Sequence, residues 1–267
     1  MLKKLRGLAR KFGGLRVPSA NHAAPTLFDN DVFLVSYPKS GNTWMRFLLA
    51  NYISGGRVDL SQTDRLVPDI EYNPQDIIET LKPRIIKTHY PFTEKYKRVV
   101  YIVRDGRDVA VSYFHHLKKF RQLEADTSFS DYLGNFIEGK VGPFGDWGAH
   151  VDGWLDGAKD MLLIRYEDML AEAPKVLESV VRYCELKVDE KQIIDSVSAC
   201  SLIELREIEK RQFNDIKVLS NSDPSAYFFR KGISGDWKNY FSVIDERKFL
   251  AAFSGAMSRV GYGGNKR

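Results

Sequence analysis

Cysteine is scarce in this chain of 267 residues: there are two, Cys184 and Cys200. That excludes a disulfide framework and makes a reducing, cytoplasmic compartment the simpler expectation. Long apolar runs are missing too. The most hydrophobic stretches, FLVSYP and RVVYIVR, have the length of strands and are too short to cross a bilayer. There is no internal repeat and no low-complexity tract. The Walker A pattern G-x-x-x-x-G-K-[ST] does not occur. The five histidines follow no metal-binding signature, and adjacent His115 and His116 would point to different faces of a helix, so no metal is expected. The charge excess is modest, with 40 Lys+Arg against 35 Asp+Glu for a formal +5. Such a balance suits a small anionic ligand as well as it suits nucleic acid.

What is present reads as one soluble α/β domain. Hydrophobic residues make up 43% and charged residues 28%, ordinary for a chain that buries a core. The first 26 residues stand apart as a basic tail. MLKKLRGLARKFGGLR has Leu2, Leu5, Leu8 and Phe12 near helical spacing but no apolar core for a secretory signal. Its apolar face is short, so a frayed, solvated tail is expected, the alternative being weak contact with a membrane surface. Beyond it, DVFLVSYP, RIIKTH, KRVVYIVR and MLLIRYEDM read as strands. NTWMRFLLANYI and DGRDVAVSYFHHLKKF read as helices, and Pro174 falls near the start of the helix after the fourth strand. SGGRVDLSQTDRLVPDIEYNPQD is polar and turn-rich and is expected to be a long excursion. Strands alternating with helices predict a central, mostly parallel sheet flanked by helices, with ligands at the carboxyl ends of the strands.

Three stretches carry candidate chemistry. In YPKSGNTW a strand ends, a turn follows and a helix begins near Asn42. Backbone N–H groups and the helix N-terminus would face one point there, with Lys39 as a cation and Ser40, Asn42 and Thr43 as further donors. Gly41 would let an anion approach the backbone closely. In IVRDGRDVAVSYFHH, Arg104 ends a strand and Ser112 lies eight positions later on a helix; an arginine fork suits a phosphate. Taken singly, Arg104 could equally pair with Asp105 or Asp108. In FRKGISGDWKNYF, Arg230, Lys231 and Gly232 give two cations and a flexible backbone, which alone would be a solvated basic loop.

Together, and in this order, the three stretches resemble the sulfotransferases, closest to the soluble cytosolic-type branch. The likeness runs from about residue 31 to 242, with KTHYP, GDWGAHVDGW and LLIRYEDM between the main motifs. It implies a sulfotransferase domain over 27–267 with a P-loop-like phosphosulfate-binding strand–loop–helix. The co-substrate would be 3′-phosphoadenosine 5′-phosphosulfate, leaving adenosine 3′,5′-bisphosphate as product. On that resemblance Lys39, Ser40, Gly41, Asn42 and Thr43 hold the 5′-phosphosulfate, and Trp44 and Tyr166 contact the adenine end. Arg104, Ser112, Arg230, Lys231 and Gly232 hold the 3′-phosphate. His89 is the general base, a role its near-neutral titration suits. Lys87, two positions earlier, points to the same side of an extended strand and would stabilise the sulfuryl oxygens. By analogy with phosphoryl transfer the group moves in line, and the lysines supply the charge that a metal supplies in kinases.

The acceptor is expected to be a small molecule or lipid bearing a hydroxyl or amine, and partly apolar. Trp147, His150, Phe92 and Phe144 are its expected pocket; for Trp147 and His150 a packed helix start is the competing reading. Three departures from the family pattern stand out. Asn42 replaces a threonine. Cys200 and Leu202 replace a threonine and a phenylalanine of the adenine pocket. The family's dimer segment is approximated by KNYFSVIDERKF, with Glu246 one position early, which leaves a homodimer possible. No nucleic-acid partner is expected. Two rivals remain at this stage. A P-loop kinase or NTPase would need Walker A. A non-catalytic anion-binding module would have no use for a histidine two residues after a lysine at a strand end.

Overall fold

The computed structural model describes residues 25–71, 77 and 83–263. All but the last two residues of the basic tail lie outside that range. Four strands form the sheet: β1 (Val32–Ser36), β2 (Ile85–Thr88), β3 (Arg98–Val103) and β4 (Asp160–Arg165). Their order is β2-β1-β3-β4 and every pair is parallel. Ten α-helices accompany them among the described residues: α1 (Asn42–Ser54), α2 (Leu60–Leu66), α3 (Gly106–Lys119), α4 (Phe129–Ile137), α5 (Trp147–Gly157), α6 (Tyr166–Tyr183), α7 (Glu190–Ala199), α8 (Leu202–Arg211), α9 (Lys217–Ser220) and α10 (Val243–Arg259), with a short 3-10 helix at Asp236–Asn239.

Strand alternation divides the core. Phe33, Val35, Val99, Tyr101 and Val103 face one side, where α3, α4, α5 and α10 pack. Val32, Leu34, Val100 and Ile102 face the other, against α1, α6, α7 and α8. A sheet covered on both faces explains why β1 and β3 read as continuous apolar runs.

The chain leaves β1 for β2 on one side and later places β3 on the other. The carboxyl end of β1 is therefore the point where strand order reverses, the position at which such sheets bind ligands. The loop after β1, His89 after β2, Arg104 after β3 and Tyr166 after β4 all lie along that edge.

One local reading needs correction. The 54–71 part of the excursion contains α2, started by a capping box in which Asp59 and Gln62 exchange side-chain and backbone bonds. Pro174 does sit near a helical start: the span from Tyr166 is broken by a kink at Glu172, with φ −141° and ψ 51°, and Pro174 opens the second helical segment two residues later. Proline has no N–H and its ring clashes with the carbonyl four residues back, so the helix breaks just ahead of it.

Candidate active site

The loop from Tyr37 to Gly41 is built for an anion. Lys39 has φ 70° and Gly41 φ 103°, both left-handed, and this turns successive N–H groups toward the end of α1. No side chain caps that helix. Ser40 Oγ and Arg104 Nε are buried without a hydrogen-bond partner, and the oxygens of a phosphate or sulfate would satisfy such donors. Gly41 admits no side chain, since a Cβ there would stand 2.6 Å from the Tyr166 ring. Gly41→Ala should therefore lower the melting temperature, at a cost of about 1–3 kcal/mol, and displace Tyr166; a thermal melt with and without nucleotide checks both.

Arg104 and Arg230 converge on Lys39 of this loop. Lys39 Nζ lies 3.3 Å from His116 Nδ1 and 4.4 Å over the Phe228 ring. Burial, with Arg104 and Arg230 nearby, lowers its pKa to about 7. Arg104 donates to Lys39 O at 3.3 Å and Ile233 O at 2.9 Å, and its guanidinium stacks 4.3 Å over Tyr166. It pairs with neither Asp105, which binds Arg107, nor Asp108. Asp108 instead accepts from the backbone N–H of Gly235 at 2.6 Å and Trp237 at 2.9 Å, tying the 230s loop to α3. Arg230 and Lys231 both bind Asp236, at 2.6 and 2.8 Å, and Gly232 makes the turn between them and Ile233 with φ 62°.

His89 has a defined tautomer. Nδ1 is 2.7 Å from Ser36 O, a group that can only accept. Nδ1 therefore carries the proton and Nε2 keeps a lone pair. Burial, then Lys87, holds its pKa well below the usual imidazole value, so the ring is neutral at pH 7. Phe144 meets it edge-on with centroids 5.6 Å apart.

A family model, the sulfotransferase domain, matches residues 29–261. The chain belongs to the sulfotransferase family. It is accordingly an enzyme of sulfuryl transfer. Mouse sulfotransferase 1B1 is 30% identical over 250 residues, covering 85% of this chain and 83% of that protein. Rabbit amine sulfotransferase is 30% identical over 246 residues, 86% and 81% of the two chains. Among solved structures, mouse sulfotransferase SULT7A1 complexed with PAP superposes with a TM-score of 0.70 at 26% identity, over 94% of this chain and 90% of that one. Retinol dehydratase shares the fold, with a TM-score of 0.72 at 19% identity over 96% and 94%.

In this sulfotransferase one cavity of about 740 Å³ gathers most of the expected residues. Lys39, Gly41, Asn42, Thr43, Trp44, Lys87, His89, Arg104, Ser112, Phe144, Tyr166, Arg230, Lys231 and Gly232 all line it. Ser40 lies behind the wall, fully buried. The Asn42 side chain turns back toward β1, donating to Leu34 O and Ser36 Oγ. Trp44 bonds through its indole N–H to Cys200 O at 3.1 Å and meets Tyr166 edge-on, so the cysteine that departs from the family pattern contributes its backbone. Leu202 and Cys200 both line the cavity.

Three residues expected at the acceptor end are held elsewhere. Trp147 is fully buried between Phe249 and Phe253. His150 is enclosed in the core, where its Nε2–H donates to His89 O at 3.1 Å and Tyr101 OH donates to its Nδ1 at 2.9 Å; burial lowers its pKa to about 4. Phe92 packs edge-on against Trp154 and borders a separate hollow. Apolar burial claims Trp147 and buried hydrogen bonds claim His150, whereas Phe92 lies outside the shared cavity. The cavity wall instead includes Tyr113, His116, Phe120, Phe228 and Asp69, which the sequence reading did not place there.

Proposed function

We propose that this enzyme transfers a sulfuryl group from 3′-phosphoadenosine 5′-phosphosulfate to a hydroxyl or amine of a small-molecule or lipid acceptor, with His89 as general base. The observation that carries the proposal is the Nδ1–H bond from His89 to Ser36 O, which leaves a basic Nε2 beside the anion loop in a shared cavity. His89 Nε2 takes the acceptor's proton as the acceptor oxygen or nitrogen bonds to sulfur. Lys39 meets the charge that gathers on the 5′-phosphate oxygen as its bond to sulfur breaks. Lys87, whose ammonium is also held by two carboxylates, adds positive charge on the acceptor side. Trp44 and Tyr166 bracket the adenine, and Arg104, Ser112 and the Arg230–Gly232 turn receive the 3′-phosphate.

Adenosine 3′,5′-bisphosphate should then bind far more tightly than adenosine 5′-phosphate in calorimetry. Each charged hydrogen bond contributes about 1.5–3 kcal/mol, so two to the 3′-phosphate imply roughly a hundredfold or more; equal affinities would sink the donor assignment. Binding should also depend on pH through Lys39. Its donor-free pKa of about 7 means the lysine is half neutral there, while a bound phosphate favours the ammonium and raises that pKa. Affinity should therefore be greatest below pH 7 and weaken as pH rises above it, with proton uptake at neutral pH seen as a dependence of the heat on buffer ionisation. Lys39→Met should abolish that uptake.

Phe120, Phe144, Phe228 and Tyr113 around the cavity support an acceptor with an apolar body. Among the described residues no helix is long and apolar enough to cross a membrane, and both cysteines are free and buried, which agrees with a cytoplasmic enzyme. Val243 and Ile244, 66% and 63% exposed at the start of α10, support a homodimer through the family-type segment. Val243→Glu should then lower the mass found by sedimentation.

A further inference from the structure

Behind His89 lies a buried group of charges whose arrangement the transfer chemistry alone does not require. Residues 68–70 run alongside β2: Lys87 N donates to Pro68 O at 2.8 Å and Ile70 N donates to Lys87 O at 3.1 Å. This pairing brings Asp69 and Glu71 against Lys87. The ammonium lies 2.7 Å from Asp69 Oδ2 and 2.6 Å from Glu71 Oε2. The other oxygen of Glu71, Oε1, accepts from Thr88 Oγ at 2.9 Å and from the backbone N–H of His89. One carboxylate thus grips three consecutive residues at the end of β2, the last of them the histidine. Asp69, Glu71, Lys87 and Thr88 are each no more than 6% exposed, and a carboxylate is tolerated at such depth only when it is fully engaged.

We propose that Glu71 is a positioning residue for His89. It fixes the backbone from which the imidazole projects, so that Nδ1–H meets Ser36 O and Nε2 faces the cavity. Lys87 then serves as the hinge pin of this cluster as well as a cation of the cavity wall. The inference rests on the reading of His89 as the base.

The test is a double-mutant cycle on the full chain, with kcat measured at saturating co-substrate and acceptor. Glu71→Gln should lower kcat about 10–100-fold, the usual effect of removing a group that orients a reacting side chain. The KM for the co-substrate and the affinity for adenosine 3′,5′-bisphosphate should stay within about twofold, because Glu71 does not reach the anion loop. In a His89→Asn background the same substitution should have no further effect on kcat, since the residue it orients is gone. Glu71→Asp, which keeps the charge but is one methylene shorter, should fall between wild type and Gln, and it decides the matter should Glu71→Gln fail to fold. The proposal is overturned by wild-type kcat in both Glu71 variants, by an equal loss with and without His89, or by a parallel loss of bisphosphate binding. An unaffected His89→Asn enzyme would instead overturn the base assignment itself, and this inference with it.

Discussion

His89→Asn is expected to leave nucleotide binding intact and to lower kcat by about 10²–10⁴, the usual contribution of a general base. Asparagine can still donate toward Ser36 O, so the end of β2 keeps its hydrogen bond, but it cannot take the acceptor's proton. The loss should persist with both substrates saturating, because the missing interaction belongs to the transition state. The identity of the acceptor then governs rescue. With a phenol, the residual rate should climb as pH rises, because the substrate ionises unaided. With an aliphatic alcohol it should not. Unchanged kcat would return His89 to a structural role. His116, which lines the same cavity with its ring close to Lys39, would be the next imidazole to test. His150 would not, because both its nitrogens are engaged in the core.

Lys39→Ala should abolish most turnover without weakening the fold. Removing one preorganised donor from a developing oxyanion costs about 10²–10³ in kcat, and here the donor also carries the charge. The effect on stability runs the other way. Folding lowers the lysine's pKa from 10.5 to about 7, so the nucleotide-free protein holds its ammonium against both burial and two arginines. Deleting it relieves that unfavourable term, and the melting temperature should stay level or rise. The left-handed φ of 70° is kept by alanine, so backbone strain does not change between the two proteins. A variant that turns over at near the parental rate would refute the assignment of Lys39 to the leaving group, and one that unfolds earlier would refute the stability argument.

Much of the donor side was legible because its determinants are local. The anion loop joins a strand and a helix that are neighbours in sequence, and continuous apolar runs mark β1 and β3. Arg104 and Ser112 share one strand–turn–helix. The acceptor side was not legible for the opposite reason. An aromatic residue reads the same whether it fills a core or lines a pocket. The interdigitation of α5 with α10 encloses Trp147, a contact between segments about a hundred residues apart. His116 gained its place only when the 228–233 segment closed over α3. Asp69 and Glu71 fell within the stretch read as a polar, turn-rich excursion, because the edge of β2 that pairs with them is not visible as an edge in a linear pattern. The capping box of α2 was there to be read in D-L-S-Q, and the density of turn residues around it masked the signal.

The bonds from Asp108 to the N–H groups of Gly235 and Trp237 join positions 127 and 129 residues apart. Arg104 and Ser112 emerge well before the Arg230–Gly232 turn and its anchor during synthesis. A nascent chain stopped anywhere before residue 237 has half a nucleotide site and no means of closing it. Nucleotide affinity thus waits for the segment through Trp237 to dock on α3. Chains released early should be distinguishable from finished ones by an immobilised bisphosphate column. For the finished enzyme, the nucleotide should act as a clasp across the whole domain, protecting the 230s loop and the start of α3 from protease together and not one after the other.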